Sequence, residues 1–86
     1  MNFDYEARRA LLLDARGLKC PLPVLKLEKA LANAPAGAQV TVLATDPVAK
    51  IDIPLFCRQQ GHAVAVESEP DGATRFLITK SLGDRD

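Results

Sequence analysis

The chain has 86 residues, enough for one hydrophobic core and too few for two, since cores come in units of roughly 50 to 200 residues. With 48% hydrophobic and 26% charged residues it has the composition of a folded globular domain, and no apolar run approaches the roughly 18 residues of a membrane span. Eleven Lys and Arg balance eleven Asp and Glu, so the chain lacks the basic excess that phosphate-backbone binding draws on, and direct nucleic-acid binding is not expected.

Residues 1–86 read as a single domain, with 1–9 and 81–86 as loose tails. The first nine residues, Met1 to Arg9, are polar and contain acids, without the basic-then-apolar order of a secretory signal. A cytoplasmic location with reduced thiols is the expectation. Ala10 to Asp14 is a short apolar run that stops at the glycine-bearing segment Ala15 to Lys19, a strand followed by a loop. From Pro21 to about Ala34 the pattern turns helical, with Val24, Leu27, Ala30, Leu31 and Ala34 on one stripe and Lys26, Lys29 and Asn33 opposite. Pro35 and Gly37 close that helix. Gln39 to Thr45 alternates as a second strand.

Asp46-Pro47 is a helix-start signal, but Pro54 would interrupt a helix running straight through, and Asp52 offers a second start. The expectation is an irregular piece from Pro47, then a helix from about Ile53 to Gln60 with Gly61 beyond its end and Ile53, Phe56 and Cys57 inward. His62 to Glu67 and Ala73 to Lys80 read as strands joined by the turn Ser68 to Gly72, an antiparallel hairpin. The order is βαβαββ. Right-handed crossovers then place two helices on one face of a mixed four-stranded sheet, a two-layer α/β (α+β) sandwich whose other face carries Leu12, Leu43, Ala65 and Leu77. That mildly apolar face is either an association surface or a set of ordinary scattered surface hydrophobes.

Cys20-Pro21-Leu22-Pro23 sits where the first loop becomes the first helix. With Pro21 at the first helical position, Cys20 falls at the N-cap, where its sulfur would accept an amide from the first turn. The helix dipole at this end favours a thiolate over a thiol, so the Cys20 pKa is expected below the free value. Arg16 and Lys19 would add positive charge. Each proline lacks an N–H, which leaves the Leu22 amide as the expected donor to the sulfur, with Pro21 and Pro23 fixing the helix start. Leu22 shares a helical face with Lys26, Lys29 and Asn33. That face, with Arg16 and Lys19 in the adjoining loop, is either a docking surface or a leucine folded onto the loop beside solvated lysines.

The segment Leu13-Asp14-Ala15-Arg16-Gly17-Leu18-Lys19-Cys20-Pro21-Leu22-Pro23-Val24 closely resembles the signature of the TusA/SirA family of small sulfur-carrier proteins around its Cys-Pro-x-Pro motif. Ala44 to Pro47 and Asp52 to Cys57 resemble the family's second region, and Arg75 to Lys80 its last strand. The resemblance implies a two-layer α/β sandwich similar to the C-terminal domain of a bacterial translation initiation factor. It also implies a sulfur relay with sulfurtransferase chemistry. A cysteine desulfurase makes a persulfide from L-cysteine, Cys20 accepts the terminal sulfur, and downstream sulfur-acceptor proteins carry it toward tRNA wobble-uridine thiolation or other sulfur metabolism. The implied cargo is a covalent persulfide on Cys20, with no resident cofactor. The family's best-known tRNA-thiolation member has a glutamate where this chain has Leu22, which leaves the downstream partner open.

A different class of reading makes Cys20 a regulatory or redox-sensing thiol whose oxidation changes partner binding. An RNA-binding module is a third, suggested by fold analogy alone. Cys57 reads as core packing, and its spacing from Cys20 leaves a disulfide open outside a reducing compartment. No Cys-x-x-Cys or metal-ligand cluster surrounds either thiol, so no metal is expected. His62, the single histidine, reads as structural or exposed rather than as the base of a Cys-His pair. Asp14 and Asp46 invite an acid/base pairing, but a loop residue and a helix cap account for them more simply.

Overall fold

A computed structural model describes residues 11–81; the expected tail 1–9 and, apart from Ser81, the expected tail 81–86 lie outside the described residues. The elements are β1 (Leu11–Ala15), α1 (Leu22–Ala32), β2 (Gln39–Ala44), α2 (Ala49–Gln60), β3 (Ala63–Ser68) and β4 (Thr74–Thr79). The strands form one mixed sheet in the order β1-β2-β4-β3. β1 and β2 are parallel, in register from Leu11 opposite Val40 to Ala15 opposite Ala44. β4 is antiparallel to both β2 and β3, so the expected hairpin is present.

Alternation along the strands decides what is buried, because successive side chains point to opposite faces. Val40, Val42 and Ala44 of β2 and Thr74, Phe76 and Ile78 of β4 are buried, and their neighbours in sequence point to the other face. Both helices cover the buried face. Leu27 and Leu31 of α1 and Ala49, Ile53 and Cys57 of α2 join Val40, Val42, Phe76 and Ile78 in a single core. Fully burying a side chain such as Phe76, Leu27 or Ile53 is worth about 1.5–3 kcal/mol, so this one cluster carries most of the fold's stability. The uncovered face of the sheet holds Leu12, Thr41, Leu77 and Ala65 in one cross-strand row, with Leu43 beside it, as alternation predicts.

The second helix differs from expectation. It starts at Ala49 and runs through Pro54 without a break. Its first turn is held partly by i to i−3 bonds, from the Ala49 amide to Asp46 O and the Lys50 amide to Pro47 O. Pro54 is the sixth of the twelve residues of α2 and lies inside the helix, where it removes one ladder donor without ending it. Asp52 sits in the first helical turn, three residues inside the helix that it was expected to precede. Gly61 closes α2 in the left-handed conformation at φ 82°, which a residue with a Cβ adopts only at a cost. At the far end of α1, Lys80 Nζ donates to the Leu31 and Ala34 carbonyls at 2.6 Å each, tying the residue after β4 to the C-terminus of that helix. Among the described residues no helix is long and apolar enough to cross a membrane.

Candidate functional site

Parallel pairing of β1 with β2 places the ends of both strands, Ala15 and Ala44, side by side. The β1–α1 and β2–α2 connections consequently leave the sheet at the same edge, and the N-termini of both helices gather there. Binding sites in sheets with parallel strands characteristically form at such an edge. Hydrogen bonds join the two connections. The Gly17 amide donates to Thr45 Oγ1 at 2.9 Å, and the Cys20 amide donates to Asp46 Oδ2 at 3.1 Å. The Cys20 thiol donates to Asp52 Oδ2 at 2.8 Å. One exposed sulfur thus lies between an acid that holds its backbone and an acid that holds its side chain.

This geometry corrects the expected local electrostatics. The N-cap of α1 is Pro21, not Cys20, and no side chain caps the helix. The Leu22 amide donates to the Lys19 carbonyl at 2.8 Å, closing a turn across the cis Cys20–Pro21 peptide, and so it is not available to the sulfur. Pro21 and Pro23 do occupy the helix start, with Pro23 buried in its first turn. Arg16 is committed elsewhere: it pairs with Asp14 at 2.8 Å and lies 3.6 Å from Asp71. The same pairing holds the Asp14 carboxyl down at about 2. The hydrogen bond to Asp52, then lost hydration, then the charges of Asp52 and Asp46 push the Cys20 thiol above its ordinary value. The expected lowering by the dipole is overridden by the hydrogen bond to Asp52 and by the charges of Asp52 and Asp46.

Other residues fall where their chemistry suggests. Leu22 is half-exposed at 48%, and Lys26, Lys29 and Asn33 are exposed on the same face of α1. Val48 at the N-cap of α2, and Ile51 and Leu55 within it, are also exposed. Cys57 is fully buried beside Ile53, and burial pushes its thiol up to about 11. Both cysteines are free. His62 lies beyond the C-terminus of α2, whereas Asp52 and Cys20 meet at its N-terminal turn. At 1.5 Å per residue the helix holds His62 roughly 15 Å from the sulfur, so no Cys-His pair forms. Instead, His62 Nδ1 accepts the Ser81 amide at 2.9 Å and its ring lies 6.3 Å from that of Phe56.

Sequence reasoning assigned Asp46 and Asp52 to helix starts and missed their contacts with Cys20. The signal lay in the strand order, because two parallel strands each followed by a helix bring their two loops together.

The model of the family described as sulfurtransferase TusA matches residues 12–80. A Pseudomonas putida sulfur carrier protein TusA is 42% identical over 69 residues, 80% of this chain and 86% of that one. The Allochromatium vinosum sulfur carrier protein TusA is 42% identical over 80 residues, 93% and 97% of the two chains. The crystal structure of a SirA-like protein from Desulfitobacterium hafniense superposes with a TM-score of 0.76 at 28% identity, covering 83% of this chain and 97% of that one.

Proposed function

This chain belongs to the TusA sulfurtransferase family, and from that premise we propose that it is a cytoplasmic sulfur carrier whose Cys20 receives a sulfane sulfur from a cysteine desulfurase and hands it to acceptor proteins. The route leads onward to tRNA thiolation or other sulfur metabolism. The observation that carries this reading is that the exposed Cys20 of the Cys-Pro-x-Pro segment sits at the edge where both helices begin, while Cys57 is buried.

A carrier needs a sulfur that larger proteins can reach, and a domain this small provides it on its surface rather than in a cavity. In each transfer an S–S bond forms between the receiving sulfur and the sulfane sulfur as the bond to the delivering cysteine breaks. The delivering cysteine leaves with the electron pair and takes up the proton given up by the receiver. No oxidant or reductant is consumed. The exposed face of Leu22, Lys26 and Lys29, with Lys19 beside it, supplies the docking contacts in this reading, and Arg16 braces the loop through Asp14.

The test is to incubate the reduced protein with a cysteine desulfurase and L-cysteine and to follow intact mass with peptide mapping. One added sulfur atom on Cys20 is expected, lost in Cys20→Ser and kept in Cys57→Ala. If the desulfurase turns over and the wild-type protein gains no sulfur, the donor half of the reading is wrong. Loading on Cys57 would move the site.

A further inference from the structure

Carrying sulfur does not by itself require a carboxylate against the carrier thiol, yet α2 places one there. We propose that Asp52 is a positioning residue that locks the unloaded Cys20 in its thiol form, so that its carboxylate must be displaced before the sulfur can react. This rests on the carrier reading for the identity of the transfer that follows.

The contact itself fixes where the proton is. The Cys20 thiol donates to Asp52 Oδ2 at 2.8 Å, so the hydrogen between them is the sulfur's. Both carboxylates in contact with Cys20 work in the same direction. Asp52 approaches from α2, and Asp46, from the connection before α2, holds the Cys20 amide. Arg16 in the β1–α1 loop is turned to Asp14 and Asp71. Among the described residues no hydrogen bond joins Lys19 of that loop, Lys26 of α1 or Lys50 of α2 to the sulfur.

The lock exists only in the empty carrier. When the sulfane sulfur is transferred, a new S–S bond to Cys20 Sγ forms, the bond from the sulfane sulfur to the delivering cysteine breaks, and the Sγ proton ends on that cysteine. Sγ then has no hydrogen to give Asp52. The added sulfur, once ionised, is repelled by both carboxylates, so the loaded sulfur is released toward solvent while the empty one is held against α2.

The test measures the rate of Cys20 alkylation by iodoacetamide against pH, read by peptide mapping, in the folded wild-type, Asp52→Asn and Glu28→Gln proteins. Glu28→Gln removes the same charge from the exposed side of α1, away from the contact. In Asp52→Asn the midpoint is expected to move down by about one pH unit, with alkylation about tenfold faster at neutral pH. Glu28→Gln is expected to follow the wild type. Superimposed profiles for wild type and Asp52→Asn would overturn the proposal, as would an equal shift in Glu28→Gln. Iodoacetamide needs no sulfur donor, so failure here is distinct from failure of desulfurase loading.

Discussion

Cys57 offers a pH-dependent stability signal whose sign follows from burial. Its thiol has no solvent-exposed surface and is pushed from its ordinary 9.0 to about 11 in the folded chain. Below pH 9 the thiol is neutral in both the folded and the unfolded chain, and its contribution to stability is fully present. As pH rises through 9 the unfolded chain loses this proton while the folded chain keeps it, and stability falls until the folded thiol also titrates near 11. Two pH units of separation give a loss of about 1 kcal/mol at pH 10 and about 2 kcal/mol at pH 11. Other alkaline groups titrate too, so the measurement is a difference. Urea unfolding of reduced wild type and Cys57→Ala is followed at pH 8, 10 and 11. The variant starts about 1–2 kcal/mol less stable at pH 8 through lost packing, and the gap closes or reverses by pH 11. A gap that stays constant from pH 8 to 11 would refute the burial argument, and with it the assignment of Cys57 to the core.

The same burial predicts thiol labelling under native conditions. At pH 8 one thiol per chain, that of Cys20, reacts with iodoacetamide within the time in which Cys57 stays protected. Both react in denaturant, and comparable native rates at the two positions would contradict the structure. Lys80→Met removes two charge-assisted bonds at the C-terminus of α1 and is expected to cost about 1–3 kcal/mol, read as a lower urea midpoint. Because that end of α1 is about 16 Å from its start, sulfur loading of Cys20 in folded Lys80→Met should match the wild type. A midpoint unchanged from wild type would mean that solvent replaces both bonds.

The fold was largely legible because its signals are periodic. Alternation in Gln39 to Ala44 and in Thr74 to Thr79 names the buried face of each strand, and the spacing of Leu27, Leu31, Ile53 and Cys57 names the helix stripes that cover it. Pro54 misled because a proline removes only its own amide from the ladder and α2 runs through that loss in mid-helix, from a start set by i to i−3 bonds of the Asp46-Pro47 turn. The difference in exposure between the two thiols was also readable, since Cys20 stands in a proline-framed helix start and Cys57 on an apolar stripe.

What local reasoning could not supply was the sulfur's electrostatic environment. Helix-start arguments count only neighbours in sequence, and on that count Cys20 has Arg16, Lys19 and a helix dipole. The groups that decide its protonation come from a different element, Asp46 and Asp52, 26 and 32 residues later. Topology could have brought them in. A strand–helix–strand unit with a right-handed crossover makes the first two strands parallel, and their following loops must then share an edge. Once Cys20 is placed in the first of those loops, any acid in the second, or in the first turn of its helix, becomes a neighbour of the sulfur. The nature of the site thus follows from the pairing of β1 with β2 more than from the Cys-Pro-x-Pro segment itself. A carrier with the same four residues but no acid at position 52 would present a sulfur of different reactivity.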